Sequence, residues 1–232
     1  MDLWIDSLDQ DPVPLLPFLT PEENERAAAF HFEKDRRKYQ VGRGLLRRVL
    51  GRYLGTDPAT VSIAPDAFGK PRLAQSDPPL DFNLSHSGDG VLFAITDGTL
   101  IGVDLESVSR EDKLPDCVRT ICSSNELSRY AAVPDADLPR ALLRLWTAKE
   151  SFLKAIGTGL HVAPDRLEIP ASISAGAPES TIIRWLDSAE VSAAHTVHPL
   201  PDCEERFGFS AAVTLLDTGM DQVAREFTSR PS

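Results

Sequence analysis

The strongest constraint on this chain is an order of elements that it runs through twice. Periodicity and turn residues predict a strand, two helices and then strands in the first half and the same order in the second, dividing near Gly102 without a residue-by-residue repeat. With 42% apolar side chains, 232 residues can bury the core of one large domain or two small ones without staples. Cys117, Cys122 and Cys203 are odd in number, have no CxxC spacing and no paired histidines, and so read as ordinary thiols rather than a disulfide framework or a zinc site. Met1 to Gln10 holds three aspartates and no apolar h-region, and no apolar run is long enough to span a bilayer. A soluble, cytoplasmic protein is expected.

In the first half, Leu3 to Asp6 is an edge-strand candidate, followed by a connector through Pro12, Pro14 and Pro17. Thr20-Pro21-Glu22-Glu23 is a helix start, with Thr20 as N-cap and Glu23 closing a capping box; this helix should reach about Phe32. A second helix should span about Asp35 to Leu54, with Tyr39, Leu45, Leu46, Val49, Leu50 and Tyr53 on one arc. Strands are expected at Leu80 to Leu84, Val91 to Thr96 and Leu100 to Glu106, with a polar loop from Ser85 to Gly90. The last two strands read as a hairpin through Asp97-Gly98. In the second half, helices are expected near Leu114 to Ile121, Ser124 to Ala132 and Leu138 to Ile156. Strands follow at Thr181 to Leu186, Val191 to Val197 and Arg206 to Leu215, with loop or frayed chain at Pro164 to Ser180 and after Thr218.

Charge is segregated. The chain carries −11 overall, which argues against nonspecific binding to nucleic acid or an anionic membrane. Yet Lys34, Arg36, Arg37, Lys38, Arg43, Arg47, Arg48 and Arg52 stand against the single acid Asp35, a stretch of +7 that leaves −18 for the rest. Such a stretch is either a solvated helix face or a wall for a polyanion.

Carboxylates supply the complementary feature. Asp104 and Glu106 alternate with Ile101, Val103 and Leu105, so both point to one face of their strand, where they form a polar edge or a metal site. On the helix from Arg140 to Ile156, Leu142, Leu145, Phe152, Leu153 and Ile156 make an apolar stripe with Lys149 in its middle, an ammonium that needs a buried partner. Trp146, Glu150 and Lys154 flank that stripe at helical spacing, as a surface pair or as a wall facing Asp104 and Glu106. Three oxygen ligands from two elements would suit Mg²⁺ and a phosphate substrate. Ser85 and Ser87 diverge from His86 as chain neighbours and are poorly placed for activation by it; the loop is better suited to hold phosphate oxygens. No GxxxxGK[ST] or GxGxxG motif occurs.

Four segments, in this order and spacing, resemble the 4′-phosphopantetheinyl transferases of the surfactin-synthetase type. They are Gly69-Lys70-Pro71, Phe82-Asn83-Leu84-Ser85-His86-Ser87, Gly102-Val103-Asp104-Leu105-Glu106, and Trp146-Thr147-Ala148-Lys149-Glu150-Ser151-Phe152-Leu153-Lys154. The resemblance covers about residues 20 to 160. It implies an α+β fold of two similar half-domains packed as a pseudo-dimer, with halves at 1–101 and 102–218 and a tail at 219–232. It also implies transfer of 4′-phosphopantetheine from coenzyme A to a serine of an apo acyl or peptidyl carrier protein, releasing adenosine 3′,5′-bisphosphate; two half-domains in one chain make a monomer the expectation.

By position, Asp104, Glu106 and Glu150 resemble the Mg²⁺ ligands. Lys154 matches the cation beside the pyrophosphate, and Lys70, Pro71, Asn83, Ser85 and His86 match coenzyme A contacts. Arg43 or Lys38 would serve the 3′-phosphate, and Glu150, or a Mg²⁺-bound water it orients, is the candidate base. Glu126 ends a segment whose counterpart in the family begins with Phe/Ser; here Ile121-Cys122 replaces the usual aromatic, which bears on carrier docking. Two rival readings use the same residues: a Mg²⁺-dependent phosphohydrolase, and a non-catalytic carrier-protein or coenzyme A binding module. The three carboxylates and Lys154 count against the second.

Overall fold

A computed structural model of the chain describes residues 1–74, 79–186 and 195–216. The first half comprises β1 (Asp2–Ser7), α1 (Pro21–Ala28), α2 (Glu33–Leu54), β2 (Ile63–Pro65), β3 (Pro71–Leu73), β4 (Asp81–Ser87) and β5 (Gly90–Thr96). The second comprises β6 (Leu100–Ser107), α3 (Val118–Ile121), α4 (Ser124–Tyr130), α5 (Leu138–Ile156), β7 (Leu167–Glu168), α6 (Ala171–Ser174), β8 (Thr181–Trp185), β9 (His195–Pro199), α7 (Pro201–Phe207) and β10 (Phe209–Leu216). The expected frayed tail and residues 191–194 of an expected strand lie outside the described residues. No described helix is long and apolar enough to cross a membrane.

Each half has a sheet and one long helix. The first sheet runs β1-β5-β4 and the second β6-β10-β9-β8-β7, with every pairing antiparallel; β2 and β3 form a separate hairpin. On β5 the side chains alternate: Val91, Phe93 and Ile95 join the core under α2, while Leu92 and Ala94 join Ile101, Val103, Leu105, Ala211 and Val213 between the halves. A third cluster packs α5 against β8, β9 and β10.

The first helix starts as its local chemistry dictates. Thr20 and Glu23 form the capping box, with Pro21 at the first position. That helix stops at Ala28, however, and the proline-rich connector is a 3₁₀ helix, Val13–Phe18. The expected helix from Leu114 splits into 3₁₀ turns and the single turn of α3. Arg206 belongs to α7, a short helix closed by Gly208, and not to the last strand.

Two expectations fail for one shared reason. Val91–Thr96 and Leu100–Glu106 do not pair as a hairpin: β5 already has β1 and β4 on its two edges, and β6 pairs with β10. The expected loop at Ser85 to Ser87 is the end of β4, and only Gly88-Asp89 turns. The free edge of β4 instead lies along β6, and side chains replace the missing backbone ladder. Asp81 Oδ2 accepts from the Ile101 amide at 2.8 Å, Asn83 Oδ1 from Val103 at 2.9 Å and Ser87 Oγ from Ser107 at 3.0 Å. The constant offset means that β4 and β6 run parallel across the join.

Gly102 sets the distance between β6 and α5. A Cβ there would lie 2.1 Å from the Ser151 carbonyl oxygen and 2.2 Å from the Ala155 nitrogen, both of them backbone atoms that cannot step aside singly. Gly102→Ala is expected to cost about 2 kcal/mol through overpacking. Urea unfolding checks this, and an unchanged midpoint would show that the helix yields freely.

Candidate active site

Close packing over Gly102 brings the chemistry of α5 onto the Asp104 face of β6. Lys154 Nζ donates to Asp104 Oδ1 at 2.6 Å and to Ser85 Oγ at 2.9 Å, and Ser85 Oγ donates to Asp104 Oδ1 at 2.8 Å. Glu106 is held by Ser87 Oγ at 2.7 Å and Arg110 Nη1 at 3.0 Å on one oxygen, and by the Trp146 indole N–H at 3.4 Å on the other. Glu150 lies half-buried one helical turn before Lys154. Burial, then the charges of Asp104 and Glu106, push its carboxyl up to about 7, against a partial pull down from Lys154. Asp104, Glu106, Glu150 and Lys154 therefore share one site. Trp146 takes part as its helical spacing with Glu150 and Lys154 suggested; Ser87 and Arg110 also do, although motif reading singled out neither for that role, and the two-residue alternation of Ser85 and Ser87 was the available signal.

The donor set fits a hard divalent cation. Asp104 Oδ2 is buried without a hydrogen-bond partner, and Glu150 is costly to ionise beside two carboxylates; a cation on these oxygens would relieve both. As the side chains stand, no three His, Cys, Asp or Glu among the described residues converge in ligating geometry, since Lys154 and Arg110 are bound to Asp104 and Glu106.

The Glu150 shift fixes the sign of a pH effect. Its folded value, about 7, lies above the ordinary 4.5, so between those values the unfolded chain ionises first and the native state loses stability as pH rises. In EDTA, the unfolding midpoint of the wild type is expected to fall relative to that of Glu150→Gln from pH 5 to pH 7. Mg²⁺ should raise the wild-type midpoint more at pH 7.5 than at pH 5.5. Equal slopes in thermal melts would separate Glu150 from this cluster.

A cleft of about 930 Å³ adjoins these groups, walled by α1, α2 and the β2–β3 hairpin; Lys38, Arg43, Pro71 and His86 line it. His86 links the two regions. Desolvation, then the Lys154 and Lys38 ammoniums, hold its pKa below the ordinary 6.5, so it meets the cleft as neutral imidazole at pH 7.

The cationic wall is narrower than the sequence implies. Arg47 is 2% exposed, with Nε on Glu23 Oε2 at 2.7 Å and Nη1 on the carbonyls of Pro58, Ala59 and Val61. Arg36 pairs with Glu33, Arg48 with Asp6, and Arg52 lies over Trp4. Among the α2 cations, Lys38 and Arg43 line the cleft together with the already paired Arg47, and Lys38 is also on Asp89 at 2.7 Å.

Lys70, Asn83 and Ser85 do not reach the cleft with their side chains. Lys70 Nζ is buried at the join of the halves, on the Ile101 carbonyl at 2.7 Å, and burial lowers its pKa to about 8. Asn83 belongs to the β4–β6 join, and Ser85 to Asp104 and Lys154. For Asn83 and Ser85 the physical reason is β-alternation: with Ser87 they point toward β6, while His86 points toward the cleft. Glu126 is fully buried on Lys149 and presents nothing to a partner's surface.

Two family models match successive stretches of the chain. Residues 7–97 match the model "4′-phosphopantetheinyl transferase, N-terminal", and residues 100–207 match "4′-phosphopantetheinyl transferase superfamily". The 4′-phosphopantetheinyl transferase HetI of Nostoc sp. is 34% identical over 188 residues, covering 79% of this chain and 79% of that protein. A 4′-phosphopantetheinyl transferase of Bacillus subtilis is 30% identical over 193 residues, 78% of this chain and 84% of that protein. Another, Sfp, from Bacillus subtilis strain 168, is 28% identical over 180 residues, 76% of this chain and 79% of that protein.

Proposed function

The chain belongs to the 4′-phosphopantetheinyl transferases, and from that premise we propose that it moves phosphopantetheine from coenzyme A to a serine of an apo acyl or peptidyl carrier protein. The observation that carries this reading is the adjacency of a cation-lined cleft to a cluster of three carboxylates and a lysine. Coenzyme A has a pyrophosphate and a separate 3′-phosphate, and so asks for two such regions some distance apart.

In this reading the N-terminal half cradles coenzyme A and the C-terminal half does the chemistry. Lys38 and Arg43 receive the 3′-phosphate, and His86 and Pro71 line the path toward the pyrophosphate. The carrier serine's oxygen attacks the β-phosphorus, the bond from that phosphorus to the bridging oxygen breaks, and adenosine 3′,5′-bisphosphate leaves. Glu150, or a water it orients, takes the serine proton. Lys154, standing on Asp104, faces the charge that develops on the pyrophosphate. Asp104, Glu106 and Glu150 would hold Mg²⁺, which when bound supplies electrostatic stabilisation of the phosphates.

The test is mass spectrometry of an apo carrier protein incubated with this protein, coenzyme A and Mg²⁺. The expected result is a carrier heavier by one phosphopantetheine, located on serine. Unchanged carrier mass with coenzyme A consumed would replace transfer by hydrolysis; binding without either change would leave a binding module.

A further inference from the structure

The Arg43 guanidinium is not free to sample the cleft. Glu23 Oε1 accepts from its Nε at 2.8 Å and also from Nη2, two contacts that hold one edge of the group. Arg43 lines the cleft, and its Nη1 is not among the atoms that Glu23 engages. The carboxylate is itself immobile: Oε2 accepts from Arg47 Nε at 2.7 Å and from the Thr20 amide at 3.1 Å, and Glu23 is 7% exposed. Arg47 in turn is fixed to the Val61 carbonyl at 2.9 Å, next to the β2–β3 wall. A chain of contacts thus runs from the capping box of α1, through Glu23, to the orientation of a cleft cation on α2.

We propose that Glu23 is a positioning residue for coenzyme A recognition, holding Arg43 so that its outer end meets the 3′-phosphate. This rests on the transfer reading above. An arginine on a flexible stem would otherwise have to be ordered when the substrate binds, and pre-organisation removes that cost from the binding step. The carboxylate also carries a negative charge near a site for an anion, so two effects oppose each other. Through the guanidinium the charges are paired and the net field at the outer edge stays positive; the geometric effect outweighs the loss of charge.

The experiment compares steady-state transfer from coenzyme A and from 3′-dephospho-coenzyme A, with the full chain and Mg²⁺, for the wild type, Arg43→Ala, Glu23→Ala, Glu23→Asp and Glu23→Gln. Glu23→Ala and Glu23→Asp are expected to raise KM for coenzyme A on the order of tenfold, as Arg43→Ala does, while kcat and KM for the dephospho substrate stay within about twofold. Glu23→Gln keeps an acceptor for Arg43 only by setting its amide against the Arg47 and Thr20 donors, and is expected to restore the discrimination in part. Calorimetry with adenosine 3′,5′-bisphosphate should rank the variants in the same order. A merely structural role would weaken both substrates together, and a merely electrostatic one would tighten coenzyme A in Glu23→Ala and Glu23→Gln; either result overturns the proposal. If the wild type modifies the carrier from neither substrate, it is the transfer reading that fails. If the wild type discriminates and the folded Glu23 variants discriminate equally, Glu23 has no such role.

Discussion

Glu150→Gln is expected to fold normally and to transfer phosphopantetheine on the order of a hundredfold more slowly or worse, a loss of roughly 3 kcal/mol of transition-state stabilisation. The substitution preserves the volume of a half-buried side chain on α5 and removes a charge that burial and two neighbouring carboxylates oppose, so the native state loses nothing by it. What disappears is the candidate base for the serine proton, together with one oxygen ligand of the carboxylate cluster. Glu150 stands apart from Lys38 and Arg43, which line the cleft, so KM for coenzyme A should change much less than kcat. Single-turnover measurement with apo carrier separates the two. Near-normal turnover of Glu150→Gln in excess Mg²⁺ would remove Glu150 from both roles.

The local parts of this site were legible in the sequence. Alternation along Leu100 to Glu106 placed Asp104 and Glu106 on one face, and the helical spacing of Trp146, Glu150 and Lys154 placed them on one flank; the folded chain brings these together. The need of Lys149 for a buried partner was also legible, because an ammonium inside an apolar stripe permits little else. The identity of that partner was not. Glu126 lies 23 residues away, in a segment that local reading associated with docking.

The same limit explains Arg47 and Ser87. Arg47 shares its helical margin with Arg43, yet its partner Glu23 lies 24 residues back and turns one arginine into a buried strut. Ser85 to Ser87 read as loop because a run of serines and histidine lacks the apolar alternation of a strand. Their alternation is polar, and its purpose is visible only when β6, an element of the other half, lies alongside. In each case the missing information was a contact between elements distant in sequence, to which periodicity is blind.

Lys149→Met is expected to be among the most destabilising single changes in the protein. Lys149 and Glu126 are both fully buried, and the ammonium meets four acceptors: Glu126 Oε2 at 2.5 Å and the carbonyls of Ile121 at 2.7 Å, Leu167 at 2.7 Å and Pro164 at 3.0 Å. Glu126 is held in turn by the amides of Ser123 at 2.8 Å and Ile169 at 2.9 Å, so the pair ties α3, α4 and the segment before β7 to the helix that carries Glu150 and Lys154. Methionine fills the space but leaves a buried carboxylate with only the more distant Arg129, at 3.8 Å, as its cation, and three carbonyls without their lysine donor. Breaking a buried pair from one side costs about 3–5 kcal/mol, whereas replacing both members by well-packed neutral groups costs far less. The double variant Lys149→Met, Glu126→Gln should therefore be more stable than Lys149→Met alone, although the glutamine oxygen can serve only one of the Ser123 and Ile169 amides, which bind different oxygens of Glu126. Urea unfolding of the four proteins in a double-mutant cycle measures the coupling. Additive losses would mean that the two charges, though in contact, do not depend on each other, and that α5 is held over β6 by apolar packing alone.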